Sequence, residues 1–363
     1  MTKNNKTTLL IRNVRHINQV LGFLSRLDLD DLVVKYNVDS YVKEFHTVDL
    51  VKIVILYFYS KERNFKNFLE ALMSNAYCCK LFRVPKTSVQ HIYKSLKNRC
   101  WWFFYEVFHQ ISSNANSTPE HMLFKGREIK ILDSTFLTYA LSRIFFAKIG
   151  YCSSEQKYAP GIKLHVLFNS SKNVIDDFIE TSGNVHDSRV ADTLLNNVND
   201  CILLFDKGYQ NLDRFVNLTN KNVVFILPLR QKLKFKIVEE STLFYDGGDV
   251  DIKIVELSNG LRVRYVKIND FELICNDCSL QWYEITTLYS FRWEIEELFK
   301  KLKQLWKINK PLFRNHNSIM AFICITLIAV TILTKICQKL KYEEIFFYHR
   351  IGREIEAYLI VNK

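Results

Sequence analysis

Four residues toward the C-terminal end, Tyr289, Arg292, Glu296 and Lys303, place one phenol, two cations and one carboxylate in a stretch free of Pro and Gly. Glu, Leu, Lys and Ile dominate that stretch, which predicts a helix. Wound at roughly 100° per residue, it puts Tyr289 at about 0°, Arg292 at about 300°, Glu296 at about 340° and Lys303 at about 320°. The four share an arc of about 60°. The opposite arc carries Leu288, Phe291, Ile295, Leu298, Leu302 and Leu305, an apolar back that packs on a core and presents the front to a partner. Taken alone, this is first of all the pattern of an ordinary amphipathic surface helix with an Arg–Glu i,i+4 pair. Two acids upstream change that reading.

Glu128–Leu132 reads as a strand, with Asp133-Ser134-Thr135 at its end. Cys201–Phe205 is a short, fully apolar run of the kind found in central buried strands, and Asp206 follows it directly. Each Asp alone is a residue that turns and helix caps use. In α/β sheets, however, active sites collect at strand ends. With Glu296 these make three carboxylates, two from strand ends and one from a helix. Such a group repels itself unless a hard divalent cation sits among its oxygens. Two Mg²⁺ held that way activate a water or hydroxyl and stabilise the leaving oxygen in phosphodiester cleavage.

The elements that must position these acids fall into an all-α region over residues 1–125 and an α/β region over 126–340. Helical periodicity runs through residues 16–32 (Ile17, Val20, Leu21, Leu24, Leu27) and from Thr47 to Met73 with a break near Arg63, for about five helices in all. Thr87 or Ser88 caps a helix over Val89–Asn98, whose outer face shows Gln90, His91, Lys94, Lys97 and Arg99. That face suits the second helix of a helix-turn-helix, or simply a solvated surface. Trp101, Trp102, Phe103, Phe104, Tyr105 and Phe108 read as core. In the α/β region, Ile162–Phe168, Val174–Glu180 and Val223–Leu229 read as strands, and residues 187–195 and 211–219 as helices. Between Asp206 and Glu296, alternating segments Lys232–Val238, Leu243–Tyr245, Asp251–Leu257, Leu261–Lys267 and Phe271–Cys275, with turns at Gly247-Gly248 and Asn259-Gly260, predict a β insertion over 230–280. Arg230, Lys232, Lys234 and Lys236 on it suit DNA contact or a solvated strand face. The apolar run Ile319–Leu333 is shorter than a membrane span needs and reads as a buried helix. Residues 341–363 form an amphipathic helical tail.

The chain has 363 residues, enough for two or three domains, and a net charge of +12. Such a balance suits a polyanionic partner, nucleic acid above all. Nine Cys without regular spacing and a polar start, Met-Thr-Lys-Asn-Asn-Lys, predict a reducing, cytoplasmic location. Cys275-Asn-Asp-Cys278 is a lone CxxC that reads as a turn rather than a zinc site.

At these residues the chain resembles the IS4-type (DDE-type) transposases of bacterial insertion sequences. Ile-Leu-Asp133-Ser-Thr, Phe-Asp206-Lys-Gly-Tyr209 and the Tyr-x2-Arg-x3-Glu-x6-Lys signature at Tyr289, Arg292, Glu296 and Lys303 carry the resemblance, with Gly161–His165 and Gly183–Asp187 in support. It covers nearly the whole chain; Lys207 and Asn64-Phe-Lys66 depart from the common pattern. The resemblance implies an RNase H-like (retroviral integrase-like) catalytic domain that binds terminal inverted repeats, cleaves the element ends and joins the 3′-OH to target DNA. It implies that Asp133, Asp206 and Glu296 hold two Mg²⁺, with Mn²⁺ as a substitute. Tyr289, Arg292 and Lys303 would grip the DNA phosphates, His165 and His186 would line the site, and a homodimer would form in the synaptic complex. The implied setting is the bacterial cytoplasm, at the nucleoid, with no membrane partner. A catalytically inactive DNA-binding derivative and an RNase H-like nuclease for RNA are the competing expectations.

Overall fold

The computed structural model describes residues 14–114, 124–138, 149–152, 157–229, 233–245, 248–309 and 313–360. Arg230, Lys232, Lys310 and Gly247 lie outside them. Contacts divide the chain into two compact units: residues 1–115 with 139–145 and 301–363, and residues 116–138 with 146–300.

The first unit is helical. Among the described residues seven helices, α1 (Arg15–Leu24), α2 (Asp30–Tyr36), α3 (Thr47–Tyr59), α4 (Phe65–Ser74), α5 (Ala76–Leu81), α6 (Val89–Asn98) and α7 (Trp101–Ser113), stand where about five were expected. Extra ends arise where Asn37 and Arg83 adopt left-handed backbone (φ 51° and 53°), a conformation that stops a helix. The expected break before α4 is made by Asn64, whose side chain accepts from the Lys66 and Asn67 N–H groups. Ser88 caps α6 by accepting from the His91 N–H, as the sequence predicts. Arg99 departs from expectation. It is buried, not on the basic face, and donates to Thr47 Oγ1 at 2.6 Å and to the Phe45 carbonyl at 2.6 Å.

Two further helices, α12 (His316–Leu340) and α13 (Glu344–Ile360), belong to the same unit. The sequence instead predicts 301–340 within the catalytic region and 341–363 apart from it. The reason for the difference is burial. α12 spans 25 residues, longer than expected and apolar enough to cross a bilayer, yet 89% of its most apolar window is buried. A helix apolar on every face needs neighbours on every side, and α7, α3, α6 and α13 supply them. Asn317 on α12 ties the junction of α6 and α7. It donates to the Leu96, Lys97 and Arg99 carbonyls and accepts from the Trp101 N–H.

The second unit is built on one sheet. β1 (Glu128–Thr138) is longer than the expected 128–132 and pairs antiparallel with β3 (Lys157–Asn169). β4 (Val174–Ser182) and β2 (Ile149–Cys152) also pair with β3. On its other side β1 runs parallel to β5 (Cys201–Phe205), which runs parallel to β6 (Val224–Pro228). The helices α8 (Ser188–Leu194) and α9 (Leu212–Asn220) fall between these strands in the chain, and their apolar faces, through Ala191, Leu194, Phe215 and Leu218, join one core with Leu203, Phe205, Phe225 and Leu227. The expected β insertion extends this sheet. Its last strand, β10 (Phe271–Cys275), pairs antiparallel with β6, and β9 (Arg262–Ile268), β8 (Gly248–Leu257) and β7 (Phe235–Tyr245) follow outward. The two segments expected at 232–238 and 243–245 are one strand, β7, whose register shifts between Ile237 and Glu239.

A candidate active site beside two parallel strands

The last parallel pair between β1 and β5 is Leu132 with Phe205. The next residue on each chain is an aspartate, Asp133 and Asp206. Asp206 leaves the sheet and opens a short 3-10 turn, its carbonyl accepting from the Tyr209 N–H at 3.0 Å. Asp133 does not end its strand as expected; β1 continues against β3 to Thr138. The aspartates thus share the level at which the parallel partner stops and the backbone opens, the place where α/β sheets expose side chains to ligands.

The stretch expected as one helix from Tyr289 to Lys303 is two, α10 (Trp282–Ser290) and α11 (Trp293–Gln304). At the joint the Phe291 N–H donates to the Leu288 carbonyl and the Arg292 N–H to the Tyr289 carbonyl, a tight three-residue spacing. No Pro or Gly marks this break. Half of the expected apolar back is buried, Leu288, Ile295 and Leu302, joined by Phe299, while Phe291, Leu298 and Leu305 are half-buried. Full burial of Ile295 contributes about 1.5–3 kcal/mol to holding this helix in place.

Arg292 stands at the joint and draws the acids together. Its Nη2 donates to Glu296 Oε1 at 2.5 Å, and its Nη1 lies 3.6 Å from Asp133 Oδ2. Its guanidinium also lies 5.8 Å from the centre of the Tyr289 ring. Tyr289 is buried, packed on Phe271, so it supports Arg292 from behind rather than standing on an exposed front. Burial pushes the Asp133 carboxyl up to about 7; the Ser134 N–H, which donates to Asp133 Oδ1 at 2.7 Å, and Arg292 pull it down, while Asp206 and Asp187 push it up. Lys303 lies further along α11, among the residues that group with the helical unit. Trp293, next to Arg292, is 64% exposed.

The donor set fits a hard divalent cation in kind, since Asp133, Asp206 and Glu296 offer only carboxylate oxygens. The positive charge that links Asp133 to Glu296 is here the Arg292 guanidinium. Among the described residues, no three His, Cys, Asp or Glu side chains converge closely enough to hold an ion.

The two histidines differ. His165 is 1% exposed, shares a hydrogen bond with Thr181 Oγ1 at 2.9 Å through Nε2, and has its titration pushed down to about 4 by burial, so it is neutral. His186 is exposed, and its Nδ1 accepts from the Ser188 N–H at the start of α8, a helix-end role. Asp187, read from sequence only as the start of a helix, accepts from Ser134 Oγ at 3.1 Å and from Lys163 Nζ at 2.8 Å. Its place in the Gly183–Asp187 block was the available signal. Cys275 is a buried thiol pushed up to about 12 by burial, and both it and Cys278 are free. The residues beside them form a turn, with the Ser279 N–H donating to Asp277.

On the helical unit, α6 turns Ile92, Ser95 and Leu96 inward and leaves Gln90, His91, Lys94 and Lys97 exposed. Between Arg83 and Arg99 there is no acidic residue.

Residues 124–332 match the family model described as a transposase DDE domain. The chain is 24% identical over 188 residues to a Sinorhizobium fredii protein named transposase y4zB, covering 48% of this chain and 52% of that one. It is 20% identical over 236 residues to a Geobacillus stearothermophilus protein named as transposase for insertion sequence element IS5377, covering 62% of this chain and 60% of that one. The chain thus spans between half and two thirds of the length of these curated relatives. The family match covers more than half of the 363 residues, and the chain belongs to the family of transposases with a DDE domain.

Proposed function

We propose, from that membership, that the chain is an IS4-type transposase that binds the terminal inverted repeats of its element, cleaves at the ends and joins the freed 3′-OH to target DNA. One observation carries the reading: Asp133 and Asp206 follow the last parallel pair of β1 and β5, and Glu296 is linked to Asp133 through Arg292. The strand order β4-β3-β1-β5-β6, antiparallel up to β1 and parallel from it, supports an RNase H-like core, with β7–β10 as its insertion.

In this reading Asp133, Asp206 and Glu296 would hold two Mg²⁺ or Mn²⁺ ions, which lower the pKa of a bound water and neutralise charge on the leaving oxygen. The chain's own residues do the rest. Arg292, released from Glu296, offers a planar pair of donors to a phosphate at the cleavage point. Tyr289 holds that guanidinium at its level. Lys303 grips the strand further along α11, and Trp293 offers a face to a base displaced from the stack. Cleavage adds water to phosphorus, breaks the P–O3′ bond and leaves a protonated 3′-hydroxyl; joining then forms a bond from that 3′-oxygen to a target phosphorus and breaks the target's P–O3′ bond, the proton passing from the attacking hydroxyl to the released target 3′-oxygen. No bond to the protein forms at any stage.

The exposed face of α6, free of acids and carrying Lys94 and Lys97, is a surface of the helical unit suited to bind the repeat. Pairing of two ends calls for a homodimer in the synaptic complex, and the work belongs at the bacterial nucleoid, in the cytoplasm. A second reading, a DNA-binding derivative without catalysis, draws on Arg292, which already satisfies both acids without a metal. Incubating the chain with a duplex bearing the element ends, a plasmid target and Mg²⁺ or Mn²⁺ separates the two. Joined products are expected; binding without cleavage under either metal would leave only the derivative.

A further inference from the structure

Ser134 touches two carboxylates. Its backbone N–H donates to Asp133 Oδ1 at 2.7 Å, and its hydroxyl donates to Asp187 Oδ1 at 3.1 Å. Asp187 is anchored in turn. The same Oδ1 accepts from Lys163 Nζ on β3 at 2.8 Å, and that ammonium also donates to the Val185 carbonyl at 3.1 Å, fixing the segment between β4 and α8 that carries Asp187. His165 closes the group, with Nδ1 3.7 Å from Asp187 Oδ1 and buried without a hydrogen-bond partner. Ser134 and His165 are register partners on β1 and β3. The group therefore spans both strands at the level of Asp133.

We infer that Asp187 is a positioning residue for Asp133: held by Lys163 and acting through Ser134, it fixes the stretch of β1 from which the Asp133 carboxylate would bind a divalent cation. A simple loop tie between Lys163 and Asp187 would need neither the Ser134 hydroxyl nor its place next to Asp133. Outer partners that orient a metal-binding carboxylate typically govern affinity by 10–100-fold. This inference rests on the metal reading proposed above.

The test is Mn²⁺ binding by the full chain without DNA, followed by calorimetry and by electron paramagnetic resonance of free Mn²⁺. Asp187→Ala and Ser134→Ala should each weaken Mn²⁺ binding by about tenfold. The double variant should bind no worse than the weaker single one, because both changes cut one linkage. Asp187→Asn should recover most of the affinity, since its carbonyl oxygen can accept from both Ser134 and Lys163. Wild-type affinity in Asp187→Ala or in Ser134→Ala, or additive losses in the double variant, would overturn the inference. Ser134→Ala removes a single oxygen, so the test stands even if Asp187→Ala unfolds. A wild-type chain that binds no Mn²⁺ would overturn the metal reading itself, and this inference with it.

Discussion

Arg292 and Glu296 form a 2.5 Å ion pair across one turn, and the same guanidinium reaches Asp133 at 3.6 Å. A single cation thus satisfies two of the three acids on which the reading rests. In a metal-free site it relieves the repulsion that crowded carboxylates create.

Arg292→Ala should therefore have two opposite effects. Without DNA, Mn²⁺ should bind more tightly, because the competing cation is gone. Cleavage of the element end should fall, by about 10–100-fold, as one charged donor pair to the phosphate is lost. Calorimetry and a single-turnover cleavage assay measure the two. Unchanged cleavage would remove the phosphate-grip role.

Asp133 links the site to pH. Its folded-state pKa of about 7 lies above the ordinary 3.8, mainly through burial. A carboxyl whose pKa is raised on folding holds its proton more tightly when folded, so it costs stability as pH rises from about 4 to about 7. The ceiling on that cost is ~4 kcal/mol, and partial exposure of the carboxyl lowers it. Asp133→Asn should raise the Tm of the metal-free protein by several degrees at pH 8, with a smaller gain at pH 5. Thermal unfolding followed by circular dichroism at the two pH values checks this. An equal gain at both would contradict it.

Trp293 separates binding from folding. It is 64% exposed, so Trp293→Ala should change stability by no more than about 0.5 kcal/mol. Loss of a stacking face should weaken binding of a single-stranded or frayed end by about 1–3 kcal/mol. Fluorescence quenching of the wild-type chain by such an oligonucleotide should be reduced in the variant.

Lys307 tests the helical unit by itself. Its ammonium is buried and donates to the Tyr57, Ser60 and Glu62 carbonyls at 3.1, 2.9 and 2.8 Å, closing the C-terminal end of α3. Lys307→Met leaves those carbonyls short of a charged donor and should cost about 1–3 kcal/mol. A lower Tm in the helical signal is the expected reading; an unchanged one would show that other partners suffice.

The acids were legible because strand ends and helix faces have short periods. The apolar run Cys201–Phe205 marked β5, and Asp206 followed from it. The break at Phe291 was not legible, since no Pro or Gly announces it. The ring of Tyr289 consequently lies buried behind Arg292 rather than beside it on one exposed front. The place of α12 was also hidden: its apolar residues predicted burial, but only its neighbours α7, α3, α6 and α13 reveal that it completes the helical unit. Arg99 was misread as surface because its partners Thr47 and Phe45 lie some fifty residues earlier in the chain. Asp187 was legible only as part of the Gly183–Asp187 block; its link to Asp133 runs through Ser134 on β1, far from it in the chain.

The most direct test is cleavage of a duplex carrying the element's terminal repeat, with Mg²⁺ or Mn²⁺, by the wild-type chain and by Glu296→Gln. The account predicts metal-dependent nicking at the element end by the wild type. It predicts loss of nicking by about a thousandfold or more in Glu296→Gln, with end binding retained in a gel-shift assay. Glu296→Gln that cuts as the wild type does, or wild-type cutting that persists in excess chelator, would contradict it.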